Sequence, residues 1–188
     1  RRACLTAIRD SGQRANALIT GLFELSKLES PEYRLQKKRV DLGEYLRRMA
    51  AHHIASLDNA GFDYDFDIPE EEAWAQIDEA AMDRVFQNLF ANALQYNPAG
   101  TKMTLTMKMK ENSFDIRFGD NGTGMAEELA QTIFQPFVRA DAARNSKTGG
   151  TGLGLSIVRQ IIALHGGSIS LETSPQKGCT FFIMLPKA

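Results

Sequence analysis

Two asparagines one helical turn apart, Asn88 and Asn92, come first in the chain; a carboxylate ahead of two glycines, Asp120-Asn121-Gly122-Thr123-Gly124, comes next. The glycine run Gly150-Thr151-Gly152-Leu153-Gly154-Leu155 completes the order. Each segment alone is a weak signal. Together they demand a fold that carries a helix face, a strand end and a helix amino terminus to one place, because only there do they have a shared use. That use is a nucleotide: amide oxygens suit a hard cation, a carboxylate can accept from a base amine, and uncapped backbone N–H groups suit phosphate.

The 188 residues, 43% of them hydrophobic, can bury a sizeable core without a disulfide or structural metal. A net charge of -1, with basic residues scattered apart from Lys37, Lys38 and Arg39, gives no footprint for nucleic acid. Cys4 and Cys179 stand alone, so neither a zinc site nor a disulfide framework is expected. No apolar run approaches the roughly 18 residues that a membrane crossing needs. The first residue is Arg1, inside a helical pattern, and a piece of a longer protein is expected.

Residues 3–29 carry Ile8, Ala15 and Leu22 at seven-residue intervals, with Leu18 and Leu25 between them. This stripe predicts one long helix that enters a bundle; an amphipathic helix docked on its own domain is the other reading of the same pattern. Pro31 ends it. A short strand is expected at residues 36–40, then a helix opened by the capping pair Asp41 and Glu44 and closed at Gly61. Phe62, Tyr64, Phe66 and Ile68 alternate with Asp63, Asp65 and Asp67, as in a half-buried strand. Residues 74–77 predict another strand, and Asp78 caps the helix that bears the asparagines.

The alternation from Met103 to Met109 and from Phe114 to Phe118 predicts a hairpin. Helices are expected at residues 127–133 and 151–165, and strands at residues 168–173 and 179–185. Strands and helices mix without strict alternation. That favours an α+β fold, a two-layer α/β sandwich with a mixed sheet covered by helices, over a doubly wound sheet. Residues 138–150 lose periodicity and read as a lid.

The Asn88 and Asn92 carboxamides can converge on magnesium that arrives already held by phosphates, or they can satisfy backbone groups near their helix end. Asp120 can accept from the exocyclic amine of adenine, or open a turn; the helical pattern after it leaves no partner strand for a hairpin. The Gly149–Gly154 stretch is neither a dinucleotide fingerprint nor a P-loop, since the third glycine is misplaced and no Gly-Lys-Ser/Thr follows. Arg144 and Lys147 before it can contact β- and γ-phosphates, or remain solvated loop charges.

Five ordered segments, residues 88–98, 120–124, 134–137 and 150–155 and the ending Gly178-Cys179-Thr180-Phe181, resemble the catalytic domain of bacterial sensor histidine kinases. Residues 25–30 and Val40-Asp41-Leu42 resemble the second dimerisation helix of such kinases and its exit. The resemblance implies a Bergerat-type ATP-binding fold at residues 35–188, preceded by one long bundle-forming helix within residues 1–34. It implies ATP and Mg2+ as ligands, with Asn92 and Asn88 on the metal, Tyr96 stacked on adenine and Asp120 selecting adenine. Thr180 would support Asp120 through water, while Met125, Leu153 and Leu155 line the base pocket. Gly122, Gly124, Phe137, Gly150, Thr151, Gly152 and Gly154 complete the nucleotide set. Arg144 and Lys147 would act on the phosphates. Gln95 departs from the family's usual cation by keeping a donor without a charge. Cys179 replaces a smaller residue and is expected to matter for packing.

The family phosphorylates a histidine followed by an acidic residue. Here His52 and His53 are followed by Ile54 and Ala55, and His165 precedes Gly166-Gly167, so none fits as acceptor. The implied partners are ATP/ADP, a histidine-bearing dimerisation helix, a response regulator and a second copy in a homodimer. The implied setting is the cytoplasmic face of a membrane-anchored parent. Gyrase-type and Hsp90-type ATPases of the same superfamily place a glutamate where Asn88 stands, so slow hydrolysis is expected. An ATPase on the same fold and a non-catalytic nucleotide-binding module are the competing readings.

Overall fold

The computed structural model describes residues 2–139 and 150–187. Helix α1 spans Arg2–Glu29, followed by β1 (Lys38–Asp41), α2 (Leu42–Ala60), β2 (Asp63–Asp67) and β3 (Trp74–Ile77). Then come α3 (Glu79–Tyr96), β4 (Lys102–Met109), β5 (Ser113–Asp120), α4 (Glu127–Ala130), α5 (Gly154–Leu164), β6 (Ser168–Thr173) and β7 (Cys179–Pro186). Five strands form one mixed sheet in the order β2-β4-β5-β7-β6, with β2 parallel to β4 and the remaining pairs antiparallel. The β1 and β3 strands pair antiparallel in a separate ribbon.

The expected α+β sandwich is present, and period-2 patterning explains it. Met103, Leu105 and Met107 of β4, Phe114, Ile116 and Phe118 of β5, and Phe181, Ile183 and Leu185 of β7 are all buried. They meet Phe86, Leu89 and Phe90 of α3 and Ile157, Val158, Ile161 and Ile162 of α5 in one core. Phe90 and Phe118 join edge to face with centroids 4.8 Å apart. Each such buried side chain contributes about 1.5–3 kcal/mol. Intervening residues such as Lys108 and Arg117 face out from the uncovered side.

Caps set the helix ends. Asp41 accepts from the N–H groups of Gly43 and Glu44, Asp78 accepts from that of Ala81, and Gly61 closes α2 at φ 69°. The last helix begins at Gly154, three residues later than the pattern suggests. Gly152 turns left-handed at φ 73°, and the Thr151 hydroxyl accepts from the Leu153 N–H, which holds the chain out of helical geometry until Gly154. Of the helix expected at residues 127–133 only Glu127–Ala130 is helical; the residues that follow it form turns.

At its carboxyl end helix α1 is docked on the domain, while the middle of its apolar stripe is left uncovered. Leu25 and Leu28 are buried against the domain, Gln160 Nε2 donates to the Leu28 carbonyl at 3.1 Å, and Arg84 pairs with Glu24. Leu18, Ile19, Leu22 and Phe23 remain exposed, Phe23 at 74%. Among the described residues no helix is long and apolar enough to cross a membrane.

Candidate nucleotide site

The carboxyl half of α3 is where the three motifs meet. Asn88 donates Nδ2 to the Arg84 carbonyl at 2.8 Å, so its Oδ1 is the free end of the carboxamide. That oxygen faces the first residue of α5, where a Cβ on Gly154 would lie 2.6 Å from it. One turn on, no hydrogen bond engages the Asn92 carboxamide among the described residues. Gln95 carries a buried Nε2 without a hydrogen-bond partner. A buried donor left unpaired costs about 1–3 kcal/mol, so an acceptor is called for at this point. A Cβ on Gly150 would stand 3.3 Å from this nitrogen and 3.3 Å from the Tyr96 hydroxyl, which brings the start of the glycine run over α3.

Glycine 152 packs on Phe137, whose N–H donates to the Gly152 carbonyl at 2.8 Å. Phe137 itself is left-handed at φ 66° and more than half exposed. Beyond it, the first turn of α5 has no side-chain cap. Its N–H groups carry the partial positive charge that a phosphate would meet. Arg144 and Lys147 lie outside the described residues.

Asp120 ends β5 half-buried at the other side of Tyr96. Burial pushes its carboxyl above the ordinary range, opposed in turn by hydrogen bonds from the Gly122 N–H, the Cys179 backbone and the Asn97 side chain. Two neighbouring glycines permit the close packing of this corner. A Cβ on Gly124 would fall 2.0 Å from the Ser174 carbonyl oxygen, and one on Gly178 would fall 1.9 Å from that of Asp120. Thr173 ties the corner together: its hydroxyl donates to the Gly178 carbonyl at 2.8 Å and accepts from the Met125 N–H at 3.0 Å.

Two expected members of the base pocket are placed elsewhere. Thr180 pairs with Gly119, and its hydroxyl would sit 3.1 Å from a Cβ there, alongside Thr104 on the uncovered face. Side chains alternate along a strand, so the residue sharing the Asp120 side is its own partner, Cys179. Cys179 therefore corrects Thr180. Its thiol, 3.3 Å from the Thr173 hydroxyl and pushed up by burial, was expected only to fill space. Leu153 is fully buried, with Gly21 of α1 against its side chain, so it packs under α1 rather than lining a pocket. Leu155 is half-buried at the core edge.

Asn97 is the functional residue that sequence reasoning passed over. It follows Tyr96 at the end of α3, and its Oδ1 accepts from the Thr123 N–H at 2.9 Å. A polar residue just past a helix end that is followed by Pro98 was the signal.

The chain matches, over residues 77–188, the family described as histidine kinase-, DNA gyrase B-, and HSP90-like ATPase. A sensor histidine kinase of Bacillus subtilis (strain 168), YcbM, is 32% identical over 187 residues, covering all of this chain and 60% of that protein. The chain thus spans less than two thirds of this relative's length. Full-length ShkA in complex with AMPPNP is 25% identical, with a TM-score of 0.79 over all of this chain and 39% of that one. Histidine kinase ThkA in complex with response regulator protein TrrA is also 25% identical, with a TM-score of 0.76 over 97% of this chain and 50% of that one. The chain belongs to the histidine kinase-, DNA gyrase B- and HSP90-like ATPase family, in its histidine kinase branch.

Proposed function

We propose that this chain binds Mg-ATP and donates its γ-phosphoryl group to a histidine carried on a separate helix, as the catalytic region of a sensor histidine kinase. The observation that carries this reading is the residue that α3 turns toward the first turn of α5. Asn88, an amide held by the Arg84 carbonyl and facing Gly154, stands where, by the resemblance, gyrase-type and Hsp90-type ATPases place a water-activating glutamate. An amide cannot take a proton from water at neutral pH. Positioning and charge neutralisation are then the catalytic means, and a nucleophile has to come from outside.

The donor set fits the ligands. Asn92 and the free Oδ1 of Asn88 would hold magnesium, which when bound neutralises phosphate charge. The orphaned Nε2 of Gln95 suits a phosphate oxygen, as do the uncapped N–H groups of α5. Asp120 accepts from the adenine amine and Tyr96 stacks on the ring, with Met125 and Cys179 beside them. Arg144 and Lys147 contact the outer phosphates.

Residues 1–34 serve as the second dimerisation helix and residues 35–188 as the catalytic domain. The exposed Leu18, Ile19, Leu22 and Phe23 pack against a histidine-bearing helix and a second copy. A response regulator receives the phosphoryl group, by likeness to the ThkA–TrrA complex. This takes place at the cytoplasmic face of a membrane-anchored parent. Calorimetry with ATP, with and without Mg2+, and steady-state phosphate release test the reading together. Magnesium-dependent binding with negligible turnover is expected; rapid phosphate release supports an ATPase instead.

A further inference from the structure

We propose that Asn97 is a positioning residue for Asp120: its carboxamide oxygen fixes the Asp120–Gly124 turn, whose Gly122 N–H in turn holds the base-reading carboxylate. This rests on the reading of Asp120 as the acceptor for the adenine amine.

The carboxamide oxygen is set by three contacts. Asn97 Oδ1 receives the Thr123 N–H at 2.9 Å and lies 3.3 Å from the Thr123 hydroxyl, which also reaches the Tyr96 carbonyl at 3.2 Å. The turn is shaped to admit it: a Cβ on Gly122 would be 1.9 Å from Oδ1. Any side chain at 122 would expel the carboxamide, so the glycine there is explained by Asn97 rather than by backbone angles. On the opposite side the turn is held to β4, with Asn121 Oδ1 accepting from the Lys102 N–H at 2.7 Å.

The turn so fixed acts on charge. Asp120 is half-buried, which disfavours its ionised form, and three neutral donors oppose that cost: the Gly122 N–H at 2.9 Å, the Cys179 backbone and the Asn97 side chain. Among the described residues no charged side chain contributes. Facing Asp120 from β7 is the Cys179 thiol, and from β4 the apolar Met103. Two of the three donors are backbone groups fixed by the turn and the sheet. Asn97 itself caps the carboxyl end of the helix that carries Asn88, Asn92, Gln95 and Tyr96. It therefore links the base corner to the phosphate end through one rigid element.

A carboxamide at 97 accepts from Thr123 without placing a second negative charge beside Asp120, which a carboxylate cannot do. Asn97→Asp keeps the shape and the acceptor while replacing the donor with a second carboxylate. Mg-ATP and Mg-GTP affinities are measured from pH 5 to 8 for the wild type, Asn97→Asp, Asn97→Ala and Asp120→Asn. The Asp120 carboxyl is also titrated by carbon NMR in the first three. Asn97→Asp is expected to bind ATP about tenfold more weakly near neutrality, with its acidic midpoint and the Asp120 titration moved to higher pH. Asn97→Ala is expected to move the same midpoint by less and to narrow the ATP-over-GTP preference.

Wild-type affinity and midpoint in Asn97→Asp overturn the proposal, as does an equal loss at every pH with the Asp120 titration unmoved, which marks a purely structural cap. If Asp120→Asn keeps both affinity and base preference, the base reading itself fails. If it loses both while Asn97→Asp matches the wild type, only the role of Asn97 fails.

Discussion

Gly154 lies against Asn88 so closely that a methyl group on it would stand 2.6 Å from the Asn88 oxygen. This contact joins the asparagine helix to the amino end of α5 with no room between them. Gly154→Ala tests its purpose. In a helix first turn Ala is favoured over Gly by up to about 1 kcal/mol, so the melting temperature should hold or rise. The added methyl must turn the Asn88 side chain away, so Mg-ATP affinity should fall at least severalfold. Calorimetry on the variant checks this; unchanged affinity would remove Asn88 from the metal set.

Gly178→Ala separates folding from binding at the other end of the site. The backbone is left-handed at φ 76°, and the new Cβ would meet the Asp120 carbonyl oxygen at 1.9 Å. A loss of at least ~2 kcal/mol is expected from the strained angle and the clash together. Urea unfolding measures it, and a variant as stable as the wild type would contradict the tight corner described here.

His165 makes stability depend on pH. Its ring is buried, with Nδ1 2.8 Å from the Ile161 carbonyl and Nε2 accepting from the Asp78 N–H at 3.0 Å. That arrangement needs the neutral ring, and burial holds its folded pKa below the ordinary value. The contribution is therefore complete above about pH 6.5 and is lost as pH falls from there through the lower folded value. His165→Ala should lose roughly 3 kcal/mol at pH 7.5, from the cavity and the orphaned Asp78 N–H, and should flatten the acid limb of the melting curve. An acid limb identical to the wild type would exclude His165 as its source.

Gly21 sets how α1 sits on the domain. A Cβ there would come 2.9 Å from Leu153 Cδ1, a side-chain end that can rotate away from a methyl but not from a branched residue. Gly21→Ile should loosen the docked turn around Leu25 and Leu28, and Gly21→Ala should not. Hydrogen exchange at residues 21–29 reports this directly. Equal protection in the two variants would mean that α1 is held elsewhere, for example by the Arg84–Glu24 pair, half-exposed at Arg84 and worth about 1 kcal/mol at most.

The sandwich was legible because patterning and caps agree along most of the chain. Met103 to Met109 and Phe114 to Phe118 alternate and form the central hairpin, and Asp41, Gly61 and Asp78 mark helix ends where their chemistry says they should. The meeting of Asn88, Gln95, Asp120 and the glycine run could be anticipated from the order of their motifs and the family resemblance they carry, not from any one segment. Which face of a strand a residue takes could not. Thr180 and Cys179 differ by one position, and a shift of one exchanges the site side for the open side. The role of Asn97 was hidden because its partners, Thr123 and Gly122, are local in space but lie across a hairpin in sequence. Leu153 is covered by α1, a contact distant in sequence that the glycine motif around it does not encode.

The central claim is that this site gives a phosphoryl group to histidine rather than to water. Mixing the chain with a separate histidine-bearing dimerisation helix, Mg2+ and γ-labelled ATP tests it most directly. The account predicts acid-labile label on the helix, abolished by Asn92→Ala and by replacing the helix histidine with glutamine. Label released as inorganic phosphate while the helix stays unlabelled would contradict it.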